Sequence, residues 1–168
     1  MSITIELFDP DTSYPGQSNF DCGLPVINTF VRKSLKQQVK KQLSVAYALV
    51  DTGIENQLVG FYTVAQHMIP SATLHELQLG SMPKQVPCTR LIMLGVAKSH
   101  QGKKLGQQLM KHALMAAKNI AKEVGSAGVY LDADPRAVGF YLSLGFRLLE
   151  GNKSPEPSPM FIPLLAIP

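Results

Sequence analysis

Cysteine and long apolar runs are scarce in this sequence of 168 residues. Its two cysteines, Cys22 and Cys88, are far apart and have no Cys or His nearby at metal-ligand spacing. We therefore expect no disulfide framework, no zinc or other metal site, and a reducing cytoplasm as the compartment. No apolar run approaches the roughly 18–20 residues of a membrane span, and the N-terminus lacks a basic and then apolar leader, so neither membrane insertion nor secretion is expected.

Charged residues are also few, at 17%, whereas hydrophobic residues make up 45%. A chain of this composition is too apolar to remain disordered, and its length suits one substantial core. We therefore expect a single domain over residues 1–168.

Acidic residues are missing from long stretches, although the formal net charge is only +4. No acidic residue lies between Leu24 and Val50, and Glu76 is alone between Gln57 and Lys122. Two segments collect the basic residues: Arg32, Lys33, Lys36, Lys40 and Lys41 in one, and Lys98, Lys103, Lys104, Lys111, Lys118 and Lys122 in the other. These clusters are either solvated helix faces or a surface for a polyanion such as nucleic acid or a phosphorylated cofactor.

Hydrophobic periodicity predicts a mixed α/β domain with the element order β, α, β, β, β, α, β, α, β, β. The predicted strands are 3–8, 45–50, 58–65, 89–97, 128–133, 146–149 and 160–164, and the predicted helices are 25–42, 105–124 and 135–144, with a further short helix possible over 71–79. In the first helix the apolar stripe consists of Ile27, Phe30, Val31, Leu35, Val39 and Leu43, and the opposite face is basic.

A glycine-containing turn, Gln101 to Gly106, joins a nearly continuous apolar strand to the start of a long helix. Unpaired amides and the positive end of the helix dipole make such a turn able to bind a phosphate. An ordinary strand-to-helix turn would also use glycine, so both interpretations stay open for this segment alone. The spacing matches neither the dinucleotide-binding fingerprint nor a P-loop.

A second phrase lies about 35 residues later, where Phe140-Tyr141 is followed by Gly145-Phe146. Together the two phrases resemble the GNAT superfamily of acetyl-CoA-dependent N-acetyltransferases, whose phosphate loop reads Gln/Arg-x-x-Gly-x-Gly/Ala. The resemblance implies a mostly antiparallel mixed sheet, flanked by helices, with a splay between two parallel strands, and acetyl-CoA as co-substrate. It implies Tyr141 as the general acid, and as cofactor-binding residues Leu94, Gly95, Val96, Gln101, Gly102, Lys103, Lys104, Leu105, Gly106, Gln107, Phe140 and Tyr141.

Lys104 departs from this pattern because it occupies the position of the first glycine of the loop. It can still donate its amide if it keeps an ordinary helical φ, and its side chain would then add a cation. If the loop needs a positive φ there, Lys104 strains the loop by about 1 kcal/mol or more.

The N-terminal phrase Phe20-Asp21-Cys22-Gly23 resembles the acetyltransferase toxins of type II toxin-antitoxin systems. That resemblance implies the α-amino group of aminoacyl-tRNA as substrate, a ribbon-helix-helix antitoxin as partner, a homodimer, and inhibition of translation. The basic helix would then contact tRNA phosphates through Arg32, Lys33, Lys36 and Lys40. One departure bears on the substrate, because such toxins often have arginine where this chain has Met93.

The chemistry of the acceptor amine favours the same substrate. A lysine side chain with a pKa of about 10.4 costs roughly 4–5 kcal/mol to deprotonate at pH 7, whereas an α-amino group with a pKa near 8 costs much less. The predicted strands 58–65 and 90–96 offer no Asp or Glu as a base. Two alternatives stay open: an N-acetyltransferase of a small amine or protein lysine, and a non-catalytic acetyl-CoA-binding or RNA-binding module.

Overall fold

The computed structural model describes residues 2–168, and their secondary structure follows the predicted order. The strands are β1 (Ile3–Leu7), β2 (Val45–Asp51), β3 (Gln57–Pro70), β4 (Gln85–Val96), β5 (Gly128–Ala133), β6 (Arg147–Leu148) and β7 (Ser158–Pro163). The α-helices are α1 (Pro25–Thr29), α2 (Leu35–Lys40), α3 (Leu105–Val124) and α4 (Val138–Ser143). Five-residue π-helix Phe30–Ser34 joins α1 to α2, and short 3-10 helices include Ser71–Leu77, Lys98–His100 and Pro135–Ala137.

The seven strands form one sheet in the order β1-β2-β3-β4-β5-β7-β6. Strand pairs β1–β2, β2–β3, β5–β7 and β6–β7 are antiparallel, whereas β4 and β5 are parallel and pair Thr89 with Val129 and Arg90 with Tyr130. The predicted fold class, a mostly antiparallel mixed sheet with one parallel pair, is confirmed. The splay between the parallel strands and the single-domain boundary of 1–168 stay predictions.

The chain forms two compact units. The first comprises the residues up to Ala65 together with Ile92–Ala113, and the second comprises Gln66–Leu91 with Leu114–Pro168. In the first unit the N-terminal loop and helices pack on β2 and β3: Val31 and Leu35 are buried with Phe20 and Phe61, whose rings meet edge to face at 5.8 Å. Burial of apolar surface of this kind is the main favourable contribution to folding.

The core of the second unit has its own set of apolar residues. Leu74 and Leu77 of the 3-10 helix pack with Ile69 of β3, Val86 of β4 and Phe161 of β7. The short helix predicted over 71–79 is therefore real, and its buried leucines explain why a short element with poor hydrogen-bond geometry persists there.

The predicted first helix needs two corrections. The backbone amide of Leu35 donates to the carbonyl of Phe30, five residues back, so a π turn interrupts the α-helix. A π turn adds one residue to a helical turn and shifts the phase of every side chain after it. The α-helix ends at Lys40, and Leu43, predicted in the apolar stripe, is 58% exposed.

Strand β4 begins at Gln85, four residues before the predicted start at residue 89. Proline lacks the amide that a strand donates, but the carbonyl of Pro87 still accepts a hydrogen bond from the Ala127 amide at 2.9 Å. A nearly continuous apolar run suits a strand buried on both faces, but towards its end β4 is only partly buried at Met93, Leu94 and Val96.

Candidate acetyl-CoA and RNA sites

The segment Gln101–Gly106, here called the phosphate loop, lies in the first unit between a 3-10 helix and α3. Residues 101–104 are exposed, and the Gln108 amide donates to the Lys104 carbonyl at 3.2 Å, which starts the intrahelical pattern of α3. The amides before Gln108 precede that pattern and need other partners. No acidic residue occurs between Lys98 and Gln107. Exposed amides, the positive end of a helix and two lysines fit the pyrophosphate of acetyl-CoA.

Lys104 has a φ of +61°, and Gly102 has a φ of +79°. The φ of Lys104 shows that the loop requires a positive φ at this position and not an ordinary helical one. Lys104 adopts the left-handed conformation, in which a motif glycine would be unstrained. A side chain other than glycine there costs about 1–2 kcal/mol. Lys104 therefore keeps the backbone path of a glycine and adds a cation to the loop.

The side chain of Gln101 makes two hydrogen bonds to the backbone of the first unit. Its Nε2 donates to the carbonyl of Cys22 at 2.8 Å and to the carbonyl of Val96 at 2.9 Å. Both donor hydrogens of the amide are therefore used on the protein backbone. The predicted contribution of Gln101 to cofactor binding is thus limited to its backbone and to holding the loop.

The predicted pantetheine strand, Leu94 to Val96, forms the end of β4. Leu94 and Val96 are partly buried, whereas Gly95 is buried. A Cβ added at Gly95 would lie 3.1 Å from Cγ2 of Ile27 and 3.4 Å from Cε1 of Phe61. Gly95 therefore lets the N-terminal helix pack closely against β4, a role that the sequence did not reveal.

Phe140 and Tyr141 lie on α4 in the second unit, and Tyr141 is only 8% exposed. The ring of Tyr141 meets Phe140 at 5.2 Å and Phe146 at 5.6 Å, both in edge-to-face geometry. Burial raises the pKa of Tyr141 to about 12. Its phenol therefore keeps its proton at neutral pH, as a proton donor requires.

The predicted RNA-binding residues Arg32, Lys33, Lys36 and Lys40 are all exposed. Arg32, however, is tied to the fold, since its Nε donates to the carbonyl of Phe20 at 2.8 Å. The π turn lies between Arg32 and Lys36, but Val31 and Leu35, which have the same spacing across it, are buried in one cluster, so residues four apart stay on one face here. Replacing Arg32 would therefore remove a hydrogen bond of the fold as well as a charge.

Sequence reasoning missed two polar pairs in the first unit. His100 Nε2 lies 2.9 Å from Oδ2 of Asp51, and Nδ1 of His112 lies 2.7 Å from the hydroxyl of Tyr62. Burial lowers the pKa of His112, which favours the neutral ring. The partners are 49 and 50 residues apart, so no local motif announces either pair. The only signal was an isolated histidine at a turn and another on a helix.

Comparison with known families identifies the enzyme class. The family model described as an acetyltransferase (GNAT) domain matches residues 43–148. The chain belongs to the GNAT acetyltransferases. The predicted enzyme class, an N-acetyltransferase that uses acetyl-CoA, is thereby confirmed, and the non-catalytic alternative loses its basis. In residues 2–168, no helix combines the length and hydropathy needed to cross a bilayer, and no group of three or more His, Cys, Asp or Glu could hold a metal ion.

Curated relatives of this GNAT chain are toxins. The probable toxin TacT of Sinorhizobium fredii (strain NBRC 101917 / NGR234) is 27% identical over 174 residues, which cover 97% of this chain and 92% of the relative. The tRNA-acetylating toxin of Mycobacterium tuberculosis (strain ATCC 25618 / H37Rv) is 24% identical over 132 residues, which cover 78% of each chain. The predicted resemblance to acetyltransferase toxins is confirmed.

Solved structures extend this similarity. A crystal structure of a bacterial toxin matches with a TM-score of 0.95 and 36% identity, covering 99% of this chain and 93% of the other. AtaT complexed with acetyl-methionyl-tRNAfMet matches with a TM-score of 0.87 and 30% identity, covering 99% of this chain and 97% of the other. A Tyr-to-Phe mutant of AtaT bound to the C-terminus of the antitoxin AtaR and acetyl-CoA matches at 0.81 and 29% identity, with coverages of 98% and 95%.

Proposed function

We propose that this GNAT enzyme is a toxin that acetylates the α-amino group of aminoacyl-tRNA and thereby blocks translation. The observation that carries the proposal is the similarity over nearly the whole chain to AtaT complexed with acetyl-methionyl-tRNAfMet, at a TM-score of 0.87. The acid-poor, basic segments of this chain provide the charge that an RNA ligand needs, because phosphate contacts supply most of the affinity for nucleic acids.

In this proposal the phosphate loop binds the pyrophosphate of acetyl-CoA, with backbone amides of Gly102 to Gly106 and the side chains of Lys103 and Lys104 facing it. Acetyl-CoA supplies an acetyl group already activated as a thioester. A backbone amide of Leu94 to Val96 polarises the thioester carbonyl. The Tyr141 hydroxyl donates its proton to the departing thiolate, which its raised pKa of about 12 permits at neutral pH.

The acceptor amine must be neutral when it attacks. An α-amino group has a pKa near 8 and is partly neutral at pH 7, so the site needs only a weak base or water to complete deprotonation. A lysine substrate would need about 4–5 kcal/mol of additional help. Met93, in place of the arginine common in related toxins, leaves this strand position without a charge. This substitution affects recognition of the acceptor and leaves the acetyl-transfer chemistry unchanged.

The proposal includes the setting in which such a toxin acts. We propose a cytoplasmic homodimer, controlled by an antitoxin of the ribbon-helix-helix type. Support for an antitoxin comes from the AtaT mutant bound to the C-terminus of AtaR. A DNA-binding antitoxin would couple toxin neutralisation to control of its own expression.

The proposal is tested by incubating the enzyme with labelled acetyl-CoA and a total pool of charged tRNA. We expect label on charged tRNA and none on deacylated tRNA, because only the aminoacyl ester provides an α-amino group. Free amino acids, polyamines and a lysine peptide serve as competing acceptors in parallel reactions. Tyr141→Phe is the control for chemistry and should reduce kcat by roughly 10² or more with little change in acetyl-CoA affinity. Label on the small amines or on the peptide alone would contradict the proposal and support the metabolite or lysine alternative.

A further inference from the structure

A buried polar pair joins the residue immediately before the phosphate loop, His100, to Asp51 at the end of β2. Asp51 is 3% exposed and His100 is 5% exposed, and His100 Nε2 lies 2.9 Å from Oδ2 of Asp51. The other atoms of the pair are also satisfied, because the Gly53 amide donates to Oδ1 of Asp51 at 3.0 Å and Ser99 Oγ lies 2.7 Å from Nδ1 of His100. A buried pair of this kind is retained only when its polar atoms are partnered, as they are here.

The proton positions follow from the donor inventory. An ionised Asp51 only accepts, so Nε2 of His100 donates to it, and in the neutral ring Nδ1 accepts from the Ser99 hydroxyl. This arrangement holds the imidazole in one orientation. Because both ring nitrogens are occupied within the protein, His100 acts through the backbone that it anchors.

The pair connects the β2–β3 hairpin to the start of the phosphate loop. Asp51 is the last residue of β2, and His100 ends the 3-10 helix directly before Gln101. The N-terminal loop holds the same turn through two further bonds: the Lys98 amide donates to the Asp21 carbonyl at 2.9 Å, and Gln101 Nε2 donates to the Cys22 carbonyl at 2.8 Å. The residues that follow, 102–104, are exposed.

We propose that His100, held by Asp51, is a positioning residue that fixes the start of the phosphate loop, so that its amides converge on the pyrophosphate of CoA. The inference rests on the assignment of that loop in the proposed function. It predicts a defect specific for the part of the cofactor that carries the pyrophosphate. A purely structural pair would instead affect every acetyl donor alike.

The test compares two acetyl donors, acetyl-CoA and S-acetyl-pantetheine, which carries the thioester but no pyrophosphate. In His100→Phe we expect kcat/KM with acetyl-CoA to fall at least about tenfold through KM, and kcat/KM with S-acetyl-pantetheine to stay within about twofold. The CoA affinity measured by calorimetry should fall by the same factor as kcat/KM. His100→Gln, whose amide can donate to Asp51 in place of Nε2, should restore most of the loss.

A matched control is His112→Phe, which removes a second histidine of the same unit, this one partly buried, together with its bond to Tyr62. This variant should change kcat/KM by equal factors with acetyl-CoA and with S-acetyl-pantetheine. If His100→Phe does not fold, Asp51→Asn serves instead, because it keeps the volume and one acceptor oxygen, and it should show a smaller loss with the same donor preference. Equal losses with both donors, or no loss, in the folded variants would overturn the inference. Wild-type enzyme that uses the two donors equally well would instead show that the phosphate loop is wrongly assigned.

Discussion

Lys104 allows a direct measurement of backbone strain in the phosphate loop. Its φ of +61° is unfavourable for any residue with a Cβ, by about 1–2 kcal/mol. Lys104→Gly removes this cost but gives the unfolded chain more freedom, which offsets about 0.4–1 kcal/mol. Lys104→Ala removes the charge equally and keeps the strain. The glycine variant should therefore be more stable than the alanine variant by about 1 kcal/mol.

The assay is thermal unfolding of the two variants side by side. For a chain of 150–250 residues, 1 kcal/mol corresponds to about 2–4 °C in Tm, so the glycine variant should melt about 2–4 °C higher than the alanine variant. Lys104→Asn should lie between them, because asparagine tolerates the left-handed region better than other residues with a side chain. Since the three variants carry the same charge, electrostatics does not contribute to the differences among them.

Acetyl-CoA affinity should respond to the charge and not to the strain. The positive φ belongs to the folded loop, so a loop that keeps this φ on binding carries the same cost in the free and the bound enzyme. The lost cation contributes about 0.2–1 kcal/mol as an exposed ion pair, which is at most about fivefold in Kd and is screened by salt. Alanine and glycine variants of equal Tm would refute the strain, and unequal Kd values would show that the loop changes conformation on binding.

Three further changes test the remaining parts of the site. Gly106→Trp should abolish acetyl-CoA binding in calorimetry by filling the phosphate loop, while circular dichroism stays that of the wild type; normal affinity would disprove the loop assignment. The double variant Lys36→Ala, Lys40→Ala should leave Tm unchanged and lower tRNA affinity. The salt dependence of that affinity should fall by about one counterion per lost phosphate contact. Adding Arg32→Ala should also cost about 1 kcal/mol of stability. The hydrogen bond from His100 lowers the pKa of Asp51. Asp51 should therefore stabilise the fold above about pH 4 and lose that effect as the pH falls further. If stability fell with pH on the acid side in Asp51→Asn as it does in the wild type, this expectation would be contradicted.

Patterns that repeat along one element were predictable from the sequence. Helix α3 was expected over 105–124 and ends there, with Gly125 at a φ of +73° and its amide donating to Ala121. The apolar stripe predicts the helix and the terminal glycine predicts its end. Both signals can be read from the sequence because each depends only on residues within a turn or two. The turn before α3 and the helix that carries Phe140 and Tyr141 were predictable for the same reason, since each is a short continuous segment, whereas their roles towards acetyl-CoA stay predictions.

Features that depend on residues distant in sequence were not predictable. The π turn over Phe30–Ser34 changes the helical phase by one residue, and the apolar positions Val31 and Leu35 fit an uninterrupted helix equally well. The anchoring of Arg32 to the Phe20 carbonyl, 12 residues away, depends on how the N-terminal loop folds back.

The buried pair of His100 and Asp51 helps to hold Lys104 at its unfavourable φ. A residue held at an unfavourable φ persists only where the surrounding structure determines its position more strongly than the local preference does. The segment before Lys104 has such support, because His100 binds Asp51 and Gln101 binds the carbonyls of Cys22 and Val96. On the other side, α3 fixes Leu105, which is buried. With both ends fixed, the chain between them has little freedom to relax Lys104, so loosening the His100 anchor should also reduce the stability difference between the glycine and alanine variants at position 104.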